Sequence, residues 1–240
     1  MALAYLFVLL LAPVGVVFAK TFEHGFSVAW GWMTTPAAIS ALGLSLLVAV
    51  VAVPANTIFG VGCALVLVRR RGRAAALLDA LIDLPFLVSP VVVGLALILV
   101  YGDTGWFGSF FAGQGIAIIY APAGMVLATV FVSLPFVVRE VAPVLVEVGD
   151  EQEQAAATLG ASPWQAFWRI TLPSIRWGVA YGVVLSTARA LGEIGAVLVV
   201  SSLVAGSTLT LPLLVYQRDS QISAGSVTGA YAAATELAVI

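Results

Sequence analysis

The chain is short of charge, cysteine and histidine, and each shortage closes off a class of protein. Among its 240 residues, Asp, Glu, Lys and Arg make up 9%, against about 25% in an ordinary soluble domain. Hydrophobic residues make up 62%, and mean hydropathy is +1.11. A water-soluble fold has too little interior to hide that much apolar surface, so the chain reads as an integral membrane protein. The single Cys63 excludes an intrachain disulfide. His24 is the only histidine and lies far from Cys63 in sequence, so the chain offers no spaced set of zinc ligands. A net charge of −2 gives no general attraction for nucleic acid. No GxxxxGK[ST] phosphate loop is present, so any nucleotide chemistry must come from a partner.

What the chain does have is a series of apolar runs. A spanning helix needs about 20 mainly apolar residues. Such runs occupy 2–19, 40–68, 83–101, 116–138 and 177–200. A sixth begins at 229 and reaches 240, where about 18 Å of helix falls short of a core of about 30 Å; it is expected to be an incomplete helix in a truncated copy. The expected architecture is an all-α, polytopic helical bundle of about six spans, forming one membrane domain over 1–240. Val17-Phe18-Ala19 before Lys20 has some likeness to a signal-peptidase site. No Lys or Arg precedes that run, as a signal peptide requires, so the segment is expected to stay as a spanning helix. Pro54, Pro85, Pro90, Pro122 and Pro135 fall inside the runs. They read as ordinary bundle curvature or as hinges in helices that rock. No internal repeat stands out, which weakens the case for an inverted-repeat transporter.

Loop charge orients the bundle. Arg69, Arg70, Arg71, Arg73, Arg139, Arg169 and Arg176 fall on one side, and Lys20 and Arg218 on the other. The Arg-rich side, and with it the N-terminus, is expected to face the cytoplasm.

One polar stretch interrupts the pattern. Residues 147–176 read EVGDEQEQAAATLGASPWQAFWRITLPSIR. Helix formers at Gln152–Ala157 predict one short helix, and Trp164–Ile170 predict a second, with Gly160, Ser162 and Pro163 as the turn between them. Ala155, Ala156, Ala157 and Gly160 are small enough for close helix contact. Gly160 suits either a close approach or a special backbone angle. Trp164 and Trp168 are four residues apart and share a helix face with an apolar character. Such a face suits the membrane interface or a groove on another protein.

The spacing of Ala155-Ala156, three residues, Gly160, nine residues, Ile170-x-Leu172-Pro173 resembles the EAA loop of ABC importer permeases. Gln154 stands where that pattern has Glu, and Glu153 is its neighbour. The resemblance implies that the loop docks on ATPase subunits, and that Leu172-Pro173 ends the second short helix and starts the next span. DLPFLVSPVVVG at 83–94, LPFVVRE at 134–140, TARALGEIGAVLVV at 187–200 and LTLPLLV at 209–215 are similar to the sulfate/thiosulfate permeases, in particular their W-type subunit. Molybdate and tungstate permeases share the ALGEIGA-like stretch. The implied fold is that of an ABC importer permease in the bacterial inner membrane. The implied partners are two ATPase subunits that use ATP and Mg, a homologous T-type permease and an extracytoplasmic sulfate-binding protein, with lipid around the bundle. No cofactor is expected on the chain itself and no catalytic residue.

The fifth run carries Arg189 and Glu193, four apart, so that they pair on one helical face. Each charge costs about 2.5–3.5 kcal/mol near a bilayer centre. They read either as a self-satisfied structural pair or as the border of an anion path. Gly178 and Gly182 form a GxxxG step, and Ala188, Gly192 and Ala196 continue at four-residue steps; these suit packing within the bundle or against a second permease. An ATP-independent channel or secondary transporter is the competing function. An intramembrane enzyme is a weaker one, since Ser186 has no nearby His or paired Asp in the sequence.

Overall fold

The backbone of residues 2–70, 72–221 and 224–240 is described by a computed structural model. Arg71, one of the expected cytoplasmic cations, lies outside the described residues. Every described regular element is helical.

α1 (Ala2–Phe22) is followed by α2 (Phe26–Met33) across a sharp bend at Gly25, whose φ is +96°. α3 (Pro36–Arg69) is the longest helix. Thr35 caps it by accepting from the Ala38 N–H at 3.3 Å, and Pro36 fills the first position, where its missing N–H costs nothing. α4 (Arg73–Leu87) and α5 (Pro90–Tyr101) meet at 111°. After the short α6 (Gly108–Ala112), α7 (Pro122–Val148) returns through the bundle. α8 (Glu151–Thr158) and α9 (Pro163–Ala166) form the polar elbow. A π turn at Phe167–Thr171 joins α9 to α10 (Leu172–Leu191), followed by α11 (Gly195–Val200), α12 (Leu211–Ser220) and α13 (Ala224–Val239).

The core is built where α3, α7 and α10 pack on one another, with α3 and α10 the most extensive neighbours of α7. On α3 the buried positions Ala41, Ser45, Val48, Ala52, Asn56, Gly60 and Ala64 recur every three or four residues, one stripe of a helix. On α10, Ile175, Gly178, Gly182 and Ser186 make a matching stripe. Two glycines clasp Val137 of α7. A Cβ on Gly60 would come within 2.7 Å of the Val137 Cβ, and one on Gly182 within 3.0 Å of its Cα. The Gly178–Gly182 step therefore packs α10 inside the bundle. The Ala188–Gly192–Ala196 stripe is not continuous: Ala188 and Gly192 are exposed, and only Ala196 is buried.

Among the described residues, two helices are long and apolar enough to cross a membrane, α3 and α7; two bent pairs, α1–α2 and α4–α5, reach that standard when each pair counts as one span. Several apolar runs therefore fold differently from straight rods. The run at 83–101 breaks at Val88-Ser89, because the residue before a proline is driven out of helical geometry. Pro90 and Pro122 begin helices instead of lying within them, whereas Pro54, Pro85, Pro135 and Pro143 are interior. The run at 116–138 becomes helical only at Pro122 and continues to Val148. The run at 177–200 is helical from Leu172 but breaks at 192–194. Arg218, expected in a loop, is buried on α12. It donates to the Gly229 carbonyl at 2.8 Å and to Thr35 Oγ1 at 2.8 Å, and lies over the Trp32 ring. α1 is held into the bundle by Thr21, fully buried 2.7 Å from Thr235 Oγ1 on α13.

Candidate functional site

The elbow at 147–176 is built from a helix stop followed by a helix start. α7 ends at Val148, and Gly149, with φ +69°, turns the chain. α8 ends in a paired-hydrogen-bond stop. The Gly160 N–H donates to Ala157 O at 3.0 Å and the Ala161 N–H to Ala156 O at 3.0 Å, with Gly160 at φ +85°. Nothing lies within 4 Å of a Cβ built on Gly160. Its role is the left-handed backbone angle, not a close approach. Ser162 and Gln165 then cap α9 reciprocally: the Gln165 N–H donates to Ser162 Oγ at 3.3 Å, and the Ser162 N–H to Gln165 Oε1 at 2.9 Å. That Ser-x-x-Gln spacing was readable from sequence and was missed.

Both predicted short helices form, but Leu172-Pro173 does not end the second. The chain stays helical from Pro163 to Leu191. Pro173 has no N–H and would press on the carbonyl four residues earlier. The widened π turn relieves this, with the Leu172 N–H donating to Phe167 O. The elbow is thus joined to α10 as one stiff rod.

Glu153, not Gln154, ties the elbow to the bundle. Its Oε1 accepts from Arg69 Nη2 at the end of α3 and from Thr171 Oγ1 in the π turn. Gln154 is exposed beside it, as are Ala155 and Ala157, with Ala156 half-buried. Around Glu153 lies a groove of about 790 Å³ whose wall includes Arg69, Gln154, Ala157 and Phe167. Trp164 and Trp168 stand on one face, as expected, with ring centroids 5.5 Å apart and planes at 75°. They are 68% and 50% exposed, and Leu159 at the tip is 88% exposed. An apolar tip uncovered on a polar elbow is a surface made for contact. Ile170 and Leu172 are half-buried and Pro173 is exposed. Leu172 packs on the cluster around Val141 and Ile175, so this part of the motif fastens the elbow from below.

The second candidate place lies at the two helix breaks. Glu193 is not on α10, since the helix ends at Leu191 with Gly192 as its cap. The pair with Arg189 forms nonetheless, Nη1 to Oε2 at 2.6 Å, as an ion pair across the break and not along a helix face. Glu193 is 2% exposed, and its Oε1 accepts the Ala196 N–H at 2.7 Å at the start of α11. The Arg189 side chain, 29% exposed, reaches the wall of a cavity of about 410 Å³ beneath the α4–α5 bend. A Cβ on Gly195 would come within 2.9 Å of the Pro90 Cβ. The break after α10 and the break before α5 are therefore in contact. Among the described residues no group of His, Cys, Asp or Glu is arranged to hold a metal ion.

Ion pairs also join α4 to α7, where Arg139 Nη2 lies 2.8 Å from Asp79 Oδ1 and 2.5 Å from Asp83 Oδ1. From sequence, Arg139 stands only as an orienting charge.

Residues 56–240 match the family described as binding-protein-dependent transport system inner membrane component. The chain is 49% identical over 240 residues to the sulfate transport system permease protein CysW of Synechocystis, covering 100% of this chain and 87% of that protein. It is 42% identical over 233 residues to the protein of the same name from Escherichia coli K12, covering 97% and 80%. It is also 39% identical over 228 residues to the sulfate transport system permease protein CysT of Synechocystis, covering 94% and 80%. Among solved structures, a bacterial alginate ABC transporter in complex with a pentasaccharide-bound periplasmic protein superposes with a TM-score of 0.79. It shares 17% identity and covers 99% of this chain and 86% of that one, a likeness of fold alone.

Proposed function

The chain belongs to the family of binding-protein-dependent transport system inner membrane components, and on that premise we propose that it is a permease subunit of an ATP-driven importer of sulfate. The observation that carries the reading is the near-full-length identity to proteins named as sulfate permeases. The same names favour sulfate over molybdate or tungstate. Thiosulfate, a tetrahedral dianion of similar size, belongs to the same substrate class.

The elbow is the coupling device. Leu159, Trp164 and Trp168 seat in a cleft of an ATPase subunit, and the continuous rod from Pro163 to Leu191 carries the movement of that subunit into the bundle. Hydrolysis of ATP belongs to the partner, which supplies the Mg-dependent site; this chain is a non-catalytic subunit. A homologous T-type permease completes the path, and an extracytoplasmic binding protein delivers the anion. The elbow and the N-terminus face the cytoplasm, supported by the Arg-rich ends of α3 and α10. Arg189 lowers the barrier to a dianion in the path, and Glu193 keeps the site from holding it tightly.

The deciding experiment is uptake of radiolabelled sulfate into vesicles carrying the assembled complex. Uptake is expected only with internal hydrolysable ATP and with the binding protein outside. Equal uptake without ATP would instead make the chain a channel or secondary transporter. For the pathway role, Arg189→Ala and Glu193→Ala complexes that still assemble are expected to lose most uptake; normal uptake by both rejects it.

A further inference from the structure

We propose that a small void between α3, α7, α12 and the break after α10 is a binding site for one water molecule, held by Thr129, Thr210 and Glu193. The site stands on geometry alone and does not depend on the importer reading.

The void measures about 10 Å³. It is lined by Ser45 of α3, Thr129 of α7, Glu193 at the break and Thr210 just before α12. All four are at most 5% exposed. A site for one water needs about 10–15 Å³ and two to four polar partners. An oxyanion, with its several heavy atoms, does not fit.

Two hydroxyls at this void forgo the bond that their kind makes elsewhere in the chain. In a helix, a threonine hydroxyl turns back to a carbonyl three or four residues earlier. Thr21, Thr57 and Thr187 each do so, donating to Val17 O at 2.9 Å, Val53 O at 2.8 Å and Val183 O at 2.7 Å. Thr129 Oγ1, inside α7, has no hydrogen-bond partner among the described residues. A threonine just before a helix caps it, as Thr35 caps α3. Thr210 holds that position before α12 and makes no cap. The Leu211 N–H donates instead to Ser45 Oγ at 2.8 Å, across from α3. Thr210 Oγ1 is left without a partner among the described residues. A buried hydroxyl without a partner is costly. Two of them on one void of this size point to a shared ligand.

Glu193 completes the set. Its Oε1 accepts the Ala196 N–H, and its Oε2 faces Arg189. A carboxylate paired with a guanidinium has about four acceptor sites, so acceptor capacity remains. A water in the void accepts from both threonine hydroxyls and donates to the carboxylate, making about three bonds, the usual number for a buried water. It ties the break after α10 to α7 and α12, and it holds Glu193 in place from the side away from Arg189. Thr129 and Thr210 are then positioning residues for the break.

The test is Thr129→Val and Thr210→Val, alone and together, in the purified assembly, read by thermal unfolding in detergent. Valine keeps the shape of threonine and removes the hydroxyl; at position 210 it removes no cap bond. Each single variant is expected to lower Tm by about 2–4 °C. The double variant is expected to lose less than the sum, because both changes release the same water. A dry void gives the opposite sign: a methyl in place of a partnerless hydroxyl leaves Tm unchanged or raises it, and that result overturns the site. Fully additive losses also overturn it. Tm of the wild type is expected to be equal in sodium chloride and choline chloride; a rise specific to sodium would assign the oxygens to a cation and overturn the water. Should a variant fail to assemble, a density map of the wild type decides. A single peak within hydrogen-bond distance of both Thr129 Oγ1 and Thr210 Oγ1 is expected. No peak there, in a map that shows other buried waters, overturns the proposal.

Discussion

Three glycines show how differently a missing side chain is used. Gly60 is small because Val137 is 2.7 Å from where its Cβ would be, whereas Gly62, two residues on and exposed, has open space around it. Gly60→Ala is expected to destabilise the bundle by about 1–3 kcal/mol, as overpacking does. Gly62→Ala is expected to be neutral or to stabilise by about 0.5–1 kcal/mol, through helix propensity. Thermal unfolding in detergent separates the two, and equal effects would refute the packing account. Gly160 belongs to neither class. Its surroundings are empty and its φ is +85°, so a side chain there is strained by about 1–2 kcal/mol whatever its size. Gly160→Leu is expected to unseat the stop of α8, and either to prevent assembly with the ATPase or to lower sulfate carried per ATP hydrolysed. A Gly160→Leu complex that assembles and couples normally would remove the docking account's main support.

The element proposed to transmit force is the elbow with its rod, and in that account Glu153 is the latch that sets its angle. Arg69 reaches it from α3 and Thr171 from the π turn. A partly exposed ion pair contributes only about 0.2–1 kcal/mol to stability, so melting is a poor probe of it. Coupling is the better one. Arg69→Glu is expected to lower the ratio of transport to hydrolysis severalfold, and adding Glu153→Arg to restore much of it. No rescue in the double variant, with both proteins assembled, would show that the pair does not set the elbow. The π turn has its own cause in Pro173, whose absent N–H makes a regular helix costly at that point. Removing the proline is therefore expected to tighten the turn and shift the register of everything N-terminal to it.

At the scale of the whole molecule, sidedness is the largest claim. Arg69 and Arg70 at the end of α3, Arg169 in the π turn and Arg176 at the start of α10 lie at the elbow, and Lys20 in the last turn of α1 pairs with Glu23 at 2.9 Å. With Cys63 replaced by serine, single cysteines at Ser162 and at Asp103 provide the check. A membrane-impermeant thiol reagent added to intact cells is expected to label the cysteine at 103 and spare that at 162. Labelling of 162 from outside would invert the orientation and end the coupling account. The many exposed apolar side chains, among them Val50, Ile58, Leu99 and Trp177, are the expected dress of a bundle whose solvent is lipid.

Composition alone determined that this chain lives in a membrane, because 62% hydrophobic residues cannot be buried in water. Local punctuation determined the elbow: Gly160 and Ser162-Pro163 act through bonds to residues three to five away, so their meaning is carried within a few positions. The tertiary structure decided everything that depends on distant partners. Glu153 displaced Gln154 as the anchoring residue because Arg69, 84 positions earlier, lies within reach of the former. Arg218 turned from a loop charge into a buried clamp because Thr35 and Gly229 converge on it. Hydropathy saw continuous runs at 83–101 and 177–200, since a window average is blind to a change of direction. The break before α5 has a local signal in Pro90, but the contact of Gly195 with Pro90, which brings the two breaks together, joins residues far apart in the chain, and no local signal encodes it.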